Sequence, residues 1–174
     1  MDIGRSEAQT EDDRPDFDGF YRREYQRIVG LVYALSGGRH SAEDIAQEAF
    51  LAAHRSWERI VTLEQPAAWV RRVAANMAVS AVRRRVSEAR AVLRLAGRRE
   101  PVAELPEDAS EFWAAVRALP KRQAQAIALH YLEDLSTVEI AAILECSEST
   151  VRVHLHNGRK TLSERLSLEA EVTK

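Results

Sequence analysis

The stretch from Leu135 to Leu162 constrains the fold most, because its apolar periodicity predicts two short helices around a sharp turn. Ser136 and Glu139 have the spacing of a capping box, in which a hydroxyl and a carboxylate satisfy free backbone N–H groups at a helix start. Ser147 is placed to cap the second helix. A stripe at i, i+4, i+7 and i+11 predicts the buried side of that helix: Val151, Leu155, Gly158 and Leu162. This pattern is typical of a helix–turn–helix.

The opposite side of the second helix, called here the recognition face, combines hydrogen-bonding, cationic and small apolar side chains. Base edges and phosphates in the major groove of DNA require this combination. An ordinary solvated surface helix is the alternative interpretation. Glu145 stands in the turn where Gly is usual, and a left-handed backbone there would cost about 1 kcal/mol. The recognition face consists of Ser149, Arg152, Val153, His156 and Lys160.

Charge is distributed unevenly along a chain whose formal net charge is only −2. Between Gln65 and Arg99 there are nine arginines and a single acidic residue, Glu88. This local excess favours contact with a polyanion, whereas the net charge alone does not. Residues 1–15 are acidic and poor in apolar side chains, and we expect them to be disordered.

The sequence carries none of the common motifs of an enzyme. It has no glycine-rich phosphate loop, no nucleophile elbow and no cysteine–histidine cluster. His154 and His156 lie about 200° apart around a helix and cannot bind one metal ion. We therefore expect no catalytic site, no metal and no cofactor.

The single cysteine and the hydropathy pattern indicate a cellular compartment. Cys146 has no partner for an internal disulfide and is compatible with a reducing compartment, and its place in the turn predicts a small buried side chain. The chain opens on acidic residues without an apolar leader, and no apolar segment approaches the roughly 20 residues that span a bilayer. We expect a soluble, cytoplasmic protein.

The first two helices follow the disordered segment. The first is predicted from Asp16 to about Leu35 and ends at Gly37-Gly38, and Ser41 is predicted to cap the second. The apolar side of the first helix consists of Phe17, Phe20, Tyr21, Ile28, Val32 and Leu35. The apolar arc of the second consists of Ile45, Ala46, Ala49, Phe50, Ala53 and Trp57.

The far side of the second helix, called here the α2 face, places one leucine among acids and an amide. An apolar side chain in that setting predicts a protein-binding surface. The alternative is that single exposed leucines are common and need no explanation. The α2 face consists of Asp44, Gln47, Glu48 and Leu51.

A third helix is predicted to begin at Pro66, after a loop from Ile60 to Gln65. Its expected apolar stripe consists of Trp69, Val70, Val73, Met77 and Ala81. Asn76 and Ser80 share a neighbouring side and precede Arg83-Arg84-Arg85. The arginines could simply favour the helix dipole and solubility. Alternatively, polar groups beside an aromatic ring and a cationic run form a groove for single-stranded DNA, and the local charge excess favours this.

The remainder of the chain predicts a second helical domain. Residues 86–96 are expected to continue the third helix, and residues 97–107, with two prolines, to form a linker of at most roughly 36 Å. The second domain covers residues 108–174 and opens with a cap at Asp108. Its first helix contains Phe112, Val116 and Leu119, Pro120 begins the next, and the expected buried side of that helix consists of Ile127, Ala128, Tyr131 and Leu132. No strand pattern occurs, so the fold class is all-α.

Three segments in order resemble one protein family: AEDIAQEAFLAAHRSW, QPAAWVRRVAANMAVSAVRRR and LPKRQAQAIALHYLEDLSTVEIAAILECSESTVRVHLHNGRKTL. Together they are similar to the extracytoplasmic-function (ECF) sigma factors of bacterial RNA polymerase. The resemblance covers roughly residues 17–166. It implies a helical bundle like sigma region 2 at residues 16–96, a flexible linker, and a helix–turn–helix domain like sigma region 4 at residues 108–174.

The resemblance implies two sites on promoter DNA. In the family the region 4 helix reads the duplex −35 element, which corresponds here to Ser149, Thr150, Arg152, Val153, His156 and Lys160. The third helix of region 2 and the loop before it engage the −10 element as it opens, without ATP. The corresponding residues here are Trp69, Asn76, Ser80, Arg83, Arg84 and Arg85.

The resemblance also implies protein partners. The α2 face would dock on the clamp helices of the largest polymerase subunit, and region 4 on the flap region. An anti-sigma factor is a common partner in the family, and the protein would act in the cytoplasm with nucleoid-associated polymerase.

Two other functional classes remain open from the residues alone. A stand-alone operator binder would dimerise and bind duplex DNA tightly without polymerase, and a protein–protein adaptor would leave the recognition face without a role.

Overall fold

The computed structural model describes residues 16–96 and 111–172, and within these ranges all regular structure is α-helical, as predicted. The predicted disordered segment, the linker and the cap at Asp108 lie outside the described residues. The helices are α1 (Phe17–Ser36), α2 (Arg39–Arg55), α3 (Trp57–Ile60), α4 (Pro66–Ala96), α5 (Glu111–Arg117), α6 (Lys121–Tyr131), α7 (Thr137–Leu144) and α8 (Glu148–Val172). We call α1–α4 the first unit and α5–α8 the second unit.

Both ends of α1 are fixed by local hydrogen bonds at the positions that the sequence predicts. The carboxylate of Asp16 accepts from the N–H groups of Asp18 and Gly19, at 3.2 and 3.3 Å. At the other end Gly37 has φ 80° and donates its N–H to the carbonyl of Tyr33 over 2.8 Å. A side chain at this left-handed position would also meet Arg117, because a Cβ there would lie 3.0 Å from its Nε.

The first unit is a bundle of α1, α2 and α4 around a core that alternates large and small side chains. Ile28, Leu31 and Leu35 of α1 are almost completely buried. The neighbouring helices contribute small side chains that allow close packing: Ala42, Ala46, Ala49 and Ala53 from α2, and Ala74, Ala75 and Ala78 from α4. Close packing of this kind fixes α2 and α4 relative to each other, and both carry candidate binding residues.

Three predictions about α2 and its neighbours were wrong. The helix begins at Arg39 after Gly38, and Ser41 lies inside the first turn, where its hydroxyl donates to the carbonyl of Gly38 over 2.9 Å. The helix ends at Arg55, so Trp57 belongs to the separate helix α3. Ile60 ends α3 and is fully buried, whereas it was predicted to begin the loop before the third helix. The apolar periodicity of α2 continues past Ser56, and no Gly or Pro there indicates that the helix ends.

The buried side of α4 is rotated from the predicted stripe. The most buried positions are Val70, Ala74, Ala75, Ala78 and Val79, together with the charged Arg71. Of the predicted stripe, Trp69, Val73, Met77 and Ala81 are only partly buried. The buried side is rotated because α4 contacts α7 in addition to α1 and α2. Alanines occupy the points where these helices approach α4 most closely, since their side chains are small.

The second unit is built around α6 and α8. Residues 124–129 of α6 are all buried, since this helix contacts α8, α5 and α7 as well as α1 of the first unit. Gly158 allows the closest approach, because a Cβ there would lie 3.0 Å from Cγ1 of Ile127. Tyr131 and Leu132, predicted to be buried, are 52% and 42% exposed. They lie at the solvent end of α6, where the Tyr131 hydroxyl accepts from Nε of Arg159 over 2.8 Å.

The helix–turn–helix has the local geometry that its sequence predicts. The capping box at Ser136 is formed in both directions, with the Ser136 N–H donating to Glu139 over 2.8 Å and the Glu139 N–H to the Ser136 hydroxyl over 3.3 Å. Glu145 has φ 53°, so the turn does adopt the left-handed backbone whose cost was considered above. Val151, Leu155 and Leu162 are at most 4% exposed, and Gly158 is buried beside them. This buried stripe turns the recognition face toward solvent.

Candidate nucleic-acid and partner interfaces

The recognition face lies fully accessible on α8. Ser149, Arg152, His156 and Lys160 are exposed, and Val153 is 54% exposed, whereas Thr150 is half-buried. The Ser147 hydroxyl accepts from the Thr150 N–H over 3.1 Å and caps the helix, as predicted. The side chains predicted to read duplex DNA therefore share one face of a capped, well-anchored helix.

Arg152 is held at the start of α8 by a chain of side-chain contacts. Its Nη2 lies 2.5 Å from Oε1 of Glu148, and the same oxygen accepts from the Thr137 hydroxyl over 2.7 Å. These donors, Thr137 first and Arg152 second, lower the pKa of Glu148. The ionised carboxylate would repel phosphates by itself, so its pairing with Arg152 reduces that repulsion and orients the guanidinium.

His154 does not belong to the recognition face. It is half-buried on the side of α8 that faces Arg122, and burial followed by the nearby Arg122 charge lowers its pKa. A lowered pKa favours the neutral imidazole at pH 7. This histidine therefore contributes packing and no cationic contact to phosphate.

Five of the six residues predicted to engage the −10 element, all except Trp69, divide into two groups along α4. Ser80, Arg83 and Arg84 are exposed and available to a ligand. Asn76 and Arg85 have partners within the chain. Oδ1 of Asn76 accepts from Nε2 of Gln125 over 3.0 Å, and Nη2 of Arg85 donates to the carbonyl of Ser36 over 2.9 Å.

Two further members of the arginine-rich stretch face the second unit instead of solvent. The guanidinium of Arg71 lies 2.9 Å from Glu24 and 3.1 Å from Glu133, with its side chain only 8% exposed. Arg72 pairs with Glu145 in the helix–turn–helix turn. Part of the local positive charge therefore pairs with carboxylates of the same chain, which the sequence pattern did not indicate.

A cavity of about 370 Å³ lies where the α3–α4 loop meets α7. Trp69 is half-buried at this cavity, and Leu63 beside it is 42% exposed. An aromatic ring, an apolar side chain and the guanidinium of Arg59 around one opening suit the stacking of an unpaired base. The family resemblance implied the loop from Ile60 to Gln65 at this site, but Arg59 and Leu63 were not singled out. Arg59 lies in the four-residue helix α3 and Leu63 in the loop, and neither segment is long enough to show a periodic pattern.

The α2 face is exposed as predicted, and its leucine does not stand alone. Asp44, Gln47 and Glu48 are exposed and Leu51 is 55% exposed. Leu51 borders a cavity of about 400 Å³ whose walls include aromatic rings of α1 and α2. The rings of Tyr21 and Phe50 are 4.9 Å apart, and those of Phe17 and His54 are 4.8 Å apart. These aromatic rings distinguish Leu51 from an ordinary exposed leucine, and they come together only because α1 packs against α2.

Within residues 16–96 and 111–172, no group of three or more histidine, cysteine, aspartate or glutamate side chains could hold a metal ion. No helix in these parts is long and apolar enough to cross a membrane.

Comparison with known proteins gives two family matches that lie one on each unit. The family model for sigma-70 region 2 matches residues 20–88, and the model for sigma-70 region 4 matches residues 109–162. The first match covers α1 to α4 as far as Glu88, and the second covers the helix–turn–helix.

Individual relatives extend over both units. The chain is 30% identical to the ECF RNA polymerase sigma factor SigW of Bacillus subtilis, over 80% of this chain and 83% of that protein. It is 32% identical to the ECF RNA polymerase sigma factor SigE of Mycolicibacterium smegmatis, over 91% of this chain and 65% of that protein. Among solved structures, the sigma factor RpoE of Bartonella quintana, crystallised with the anti-sigma factor NepR, aligns with a TM-score of 0.65 at 25% identity. The alignment covers 87% of this chain and 97% of that one.

Proposed function

Since the chain belongs to the ECF sigma factors of the sigma-70 family, which act in transcription initiation, we propose how its surfaces divide promoter recognition and polymerase binding. We assign residues 16–96 to core polymerase and the −10 element, residues 97–107 to a linker, and residues 108–174 to the −35 element. The exposed recognition face on a capped α8 is the observation that carries this assignment.

The recognition face enters the major groove at the −35 element. Arg152, held by Glu148, is positioned to contact a base edge, and Val153 offers an apolar surface to a thymine methyl group. Ser149, Thr150, His156 and Lys160 lie along the same helix and can reach bases or the flanking phosphates.

The −10 element binds as single-stranded DNA along α4 and the loop before it. An extruded base enters the cavity beside Trp69, while Asn76 and Ser80 contact it or its neighbour, and Arg83, Arg84 and Arg85 attract the backbone. Extruding a base costs a few kcal/mol, and these contacts offset that cost without ATP.

Core polymerase binds the α2 face, with Leu51 and its aromatic surroundings accepting an apolar group from the clamp helices of the largest subunit. The second unit contacts the flap region. The relative of known structure was crystallised with an anti-sigma factor, and this supports an anti-sigma partner for the present chain as well. The protein has no catalytic activity of its own and works in the cytoplasm, where polymerase and chromosomal DNA are found.

A reconstituted transcription assay tests the proposed function. Purified chain and core RNA polymerase are incubated with fragments of the source genome, and transcript start sites are mapped. We expect starts at a small set of sites that share −35 and −10 sequences and are missing with core enzyme alone. A stand-alone operator binder would instead bind duplex DNA tightly as a dimer and leave the start sites of core enzyme unchanged.

A further inference from the structure

Arg159 lies on the proposed DNA-facing side of α8 but is not one of the residues assigned to it. It follows Arg152 by seven positions, which places the two side chains within about 20° of each other around the helix. Arg159 is exposed, as are the nearby His156 and Lys160. It also stands directly after Gly158 of the buried stripe, so apolar periodicity alone does not assign it to the recognition face.

Tyr131 at the end of α6 holds the Arg159 side chain in place. Nε of Arg159 donates to the Tyr131 hydroxyl over 2.8 Å, and its guanidinium carbon lies 5.7 Å from the centre of the same ring. A hydrogen bond and a cation–π contact to one side chain together restrict the rotamers of a long arginine.

The partner of Arg159 is neutral, whereas Arg152 is held by the carboxylate of Glu148. Among the side chains that the structure describes, no carboxylate pairs with Arg159. Arg159 is therefore oriented without losing any of its positive charge to a counter-ion. An arginine of this kind suits an anionic ligand, because the ligand does not have to displace a carboxylate.

The ring of Tyr131 is braced by its own neighbours, although it is 52% exposed. It lies edge to face against two rings, at 4.9 Å from His130 and 6.4 Å from Phe112. His130 is fixed in turn, since its Nδ1 lies 3.0 Å from the carbonyl oxygen of Leu135. The Tyr131 hydroxyl is thus a fixed acceptor beside α8, with its apolar ring supported and its polar end free to hold Arg159.

The spacing of Arg152 and Arg159 matches the step from a base edge to the DNA backbone. Residues near the start of a recognition helix contact base edges. Seven residues of helix rise about 10 Å, and the major groove is about 12 Å wide. A side chain that far along α8 lies at the rim of the groove, where the phosphates are. Because Tyr131 engages Nε, Nη1 and Nη2 of Arg159 remain for two phosphate oxygens.

We propose that Arg159 binds a backbone phosphate beside the −35 element and that Tyr131 is its positioning residue. The proposal rests on the proposed function of α8 and adds a contact that does not depend on base sequence. It also gives a role to the half-exposed aromatic ring at the end of α6.

Arg159→Ala tests the phosphate contact in holoenzyme assembled from core polymerase and the full-length chain. Binding is measured on a promoter recovered by the transcription assay and on single-base variants of its −35 element, from about 50 to about 200 mM salt. We expect about five- to ten-fold weaker binding to every variant and a salt slope smaller by about one, because one phosphate contact is lost. An unchanged slope would overturn the proposal.

Two further substitutions separate the charge of Arg159 from its shape and place. Arg165→Ala removes the same charge from an exposed position about 120° around the helix, and it should leave affinity and salt slope at the wild-type values. Arg159→Lys keeps the charge but loses the planar fork. It should retain the wild-type slope while binding about two- to three-fold more weakly than the wild type. A slope that falls equally in Arg159→Lys and Arg159→Ala would contradict a charge contact.

Tyr131→Phe tests the positioning role, because it removes only the hydroxyl. We expect about two- to three-fold weaker promoter binding with an unchanged salt slope, and no additional loss when it is combined with Arg159→Ala. Tyr33→Phe removes a hydroxyl from a half-buried tyrosine of α1 and is the control, with no expected effect. If Tyr131→Phe costs the same with and without Arg159, Tyr131 does not act through this arginine.

The same measurements distinguish failure of this proposal from failure of the proposed function. Arg159→Ala should bind core polymerase as tightly as the wild type, and weaker assembly would place Arg159 against the polymerase instead of DNA. If Arg152→Ala relaxes base preference while Arg159→Ala changes nothing, the phosphate contact is wrong and the −35 assignment stands. If the holoenzyme shows no −35 preference at all, the assignment of α8 fails and the phosphate contact fails with it.

Discussion

At the scale of single residues, the proposed DNA contacts depend on how charged side chains are held by their neighbours. Arg152 is oriented by Glu148, and Glu148 is in turn held by Thr137 of the preceding helix. A long cationic side chain normally loses considerable rotamer entropy when it binds. Holding Arg152 in place beforehand reduces that loss and favours sequence-selective contact.

Arg152→Ala should weaken binding of the cognate −35 duplex by roughly 1–3 kcal/mol and relax the base preference at one position. Electrophoretic or fluorescence titration against single-base variants of the site measures both effects. Arg165→Ala is the control, because Arg165 is exposed on the same helix but lies more than three turns away. Unchanged selectivity of Arg152→Ala would reject the groove assignment.

Glu139 gives a prediction about pH. Hydrogen bonds from the Ser136 hydroxyl and N–H lower its pKa from the usual 4.5. A lowered folded-state pKa adds stability above pH 4.5, and this contribution disappears as the pH falls through the folded-state value. The difference in Tm between wild type and Glu139→Ala should therefore shrink below about pH 4.5. A Tm difference that stays constant from pH 7 to pH 3 would contradict the ionised capping box.

At the scale of helices, close approach decides where small residues are needed. Gly158 faces Ile127 across the α6–α8 contact, whereas Gly30 on α1 has no atom within 4 Å of a Cβ position. Replacing Gly by Ala inside a helix normally stabilises it by up to about 1 kcal/mol. The two glycines should thus respond oppositely to the same substitution.

Gly158→Ala should destabilise the protein by roughly 1–3 kcal/mol, because the new methyl group would lie 3.0 Å from a buried branched side chain. Gly30→Ala should raise stability by about 0.5–1 kcal/mol. Urea unfolding followed by circular dichroism measures both. A stabilising Gly158→Ala would show that α6 and α8 can separate without loss.

Leu51→Asp tests the α2 face. A carboxylate placed beside the aromatic cavity would have to be desolvated on docking, so core polymerase binding should fall by at least 100-fold while helicity is unchanged. Gln26→Asp adds the same charge at an exposed position of α1 and serves as the control. Normal holoenzyme assembly with Leu51→Asp would remove this face from the interface.

At the scale of the whole molecule, the arginine-rich stretch divides into two groups. Arg71 and Arg72 join the units, whereas Arg83 and Arg84 are exposed, and we propose that they bind DNA. Because the packing separates the two groups, the charges of Arg83 and Arg84 can be reversed without disturbing the contact between the units.

The double substitution Arg83→Glu and Arg84→Glu should impair promoter opening far more than −35 binding, because it acts on the backbone of the single strand. Permanganate reactivity of the −10 region in the holoenzyme complex should fall at least ten-fold, while duplex binding of the −35 element stays within about two-fold. Arg165→Ala again serves as the control for loss of an arginine elsewhere. Equal losses in both assays would show that the arginines attract DNA without preference for the opened strand.

The sequence by itself determined the local structure of this protein. The ends of α1, the capping box at Ser136 and the stripe that turns the recognition face outward are all found as predicted. Each depends on hydrogen bonds between residues a few positions apart or on the period of one helix. Such information is contained in a short window of sequence.

Only the tertiary structure decided which of the candidate residues are free. Asn76 and Arg71 meet partners 49 and 62 residues away along the chain, and no local pattern encodes such pairings. No local pattern encodes the aromatic side chains that line the cavity beside Leu51 either. The exposure of Tyr131 likewise depends on where α6 ends relative to its neighbouring helices. Apolar periodicity identifies the side of a helix that is buried. Which residues on the other sides contact another helix and which stay exposed depends on how helices distant in sequence pack together.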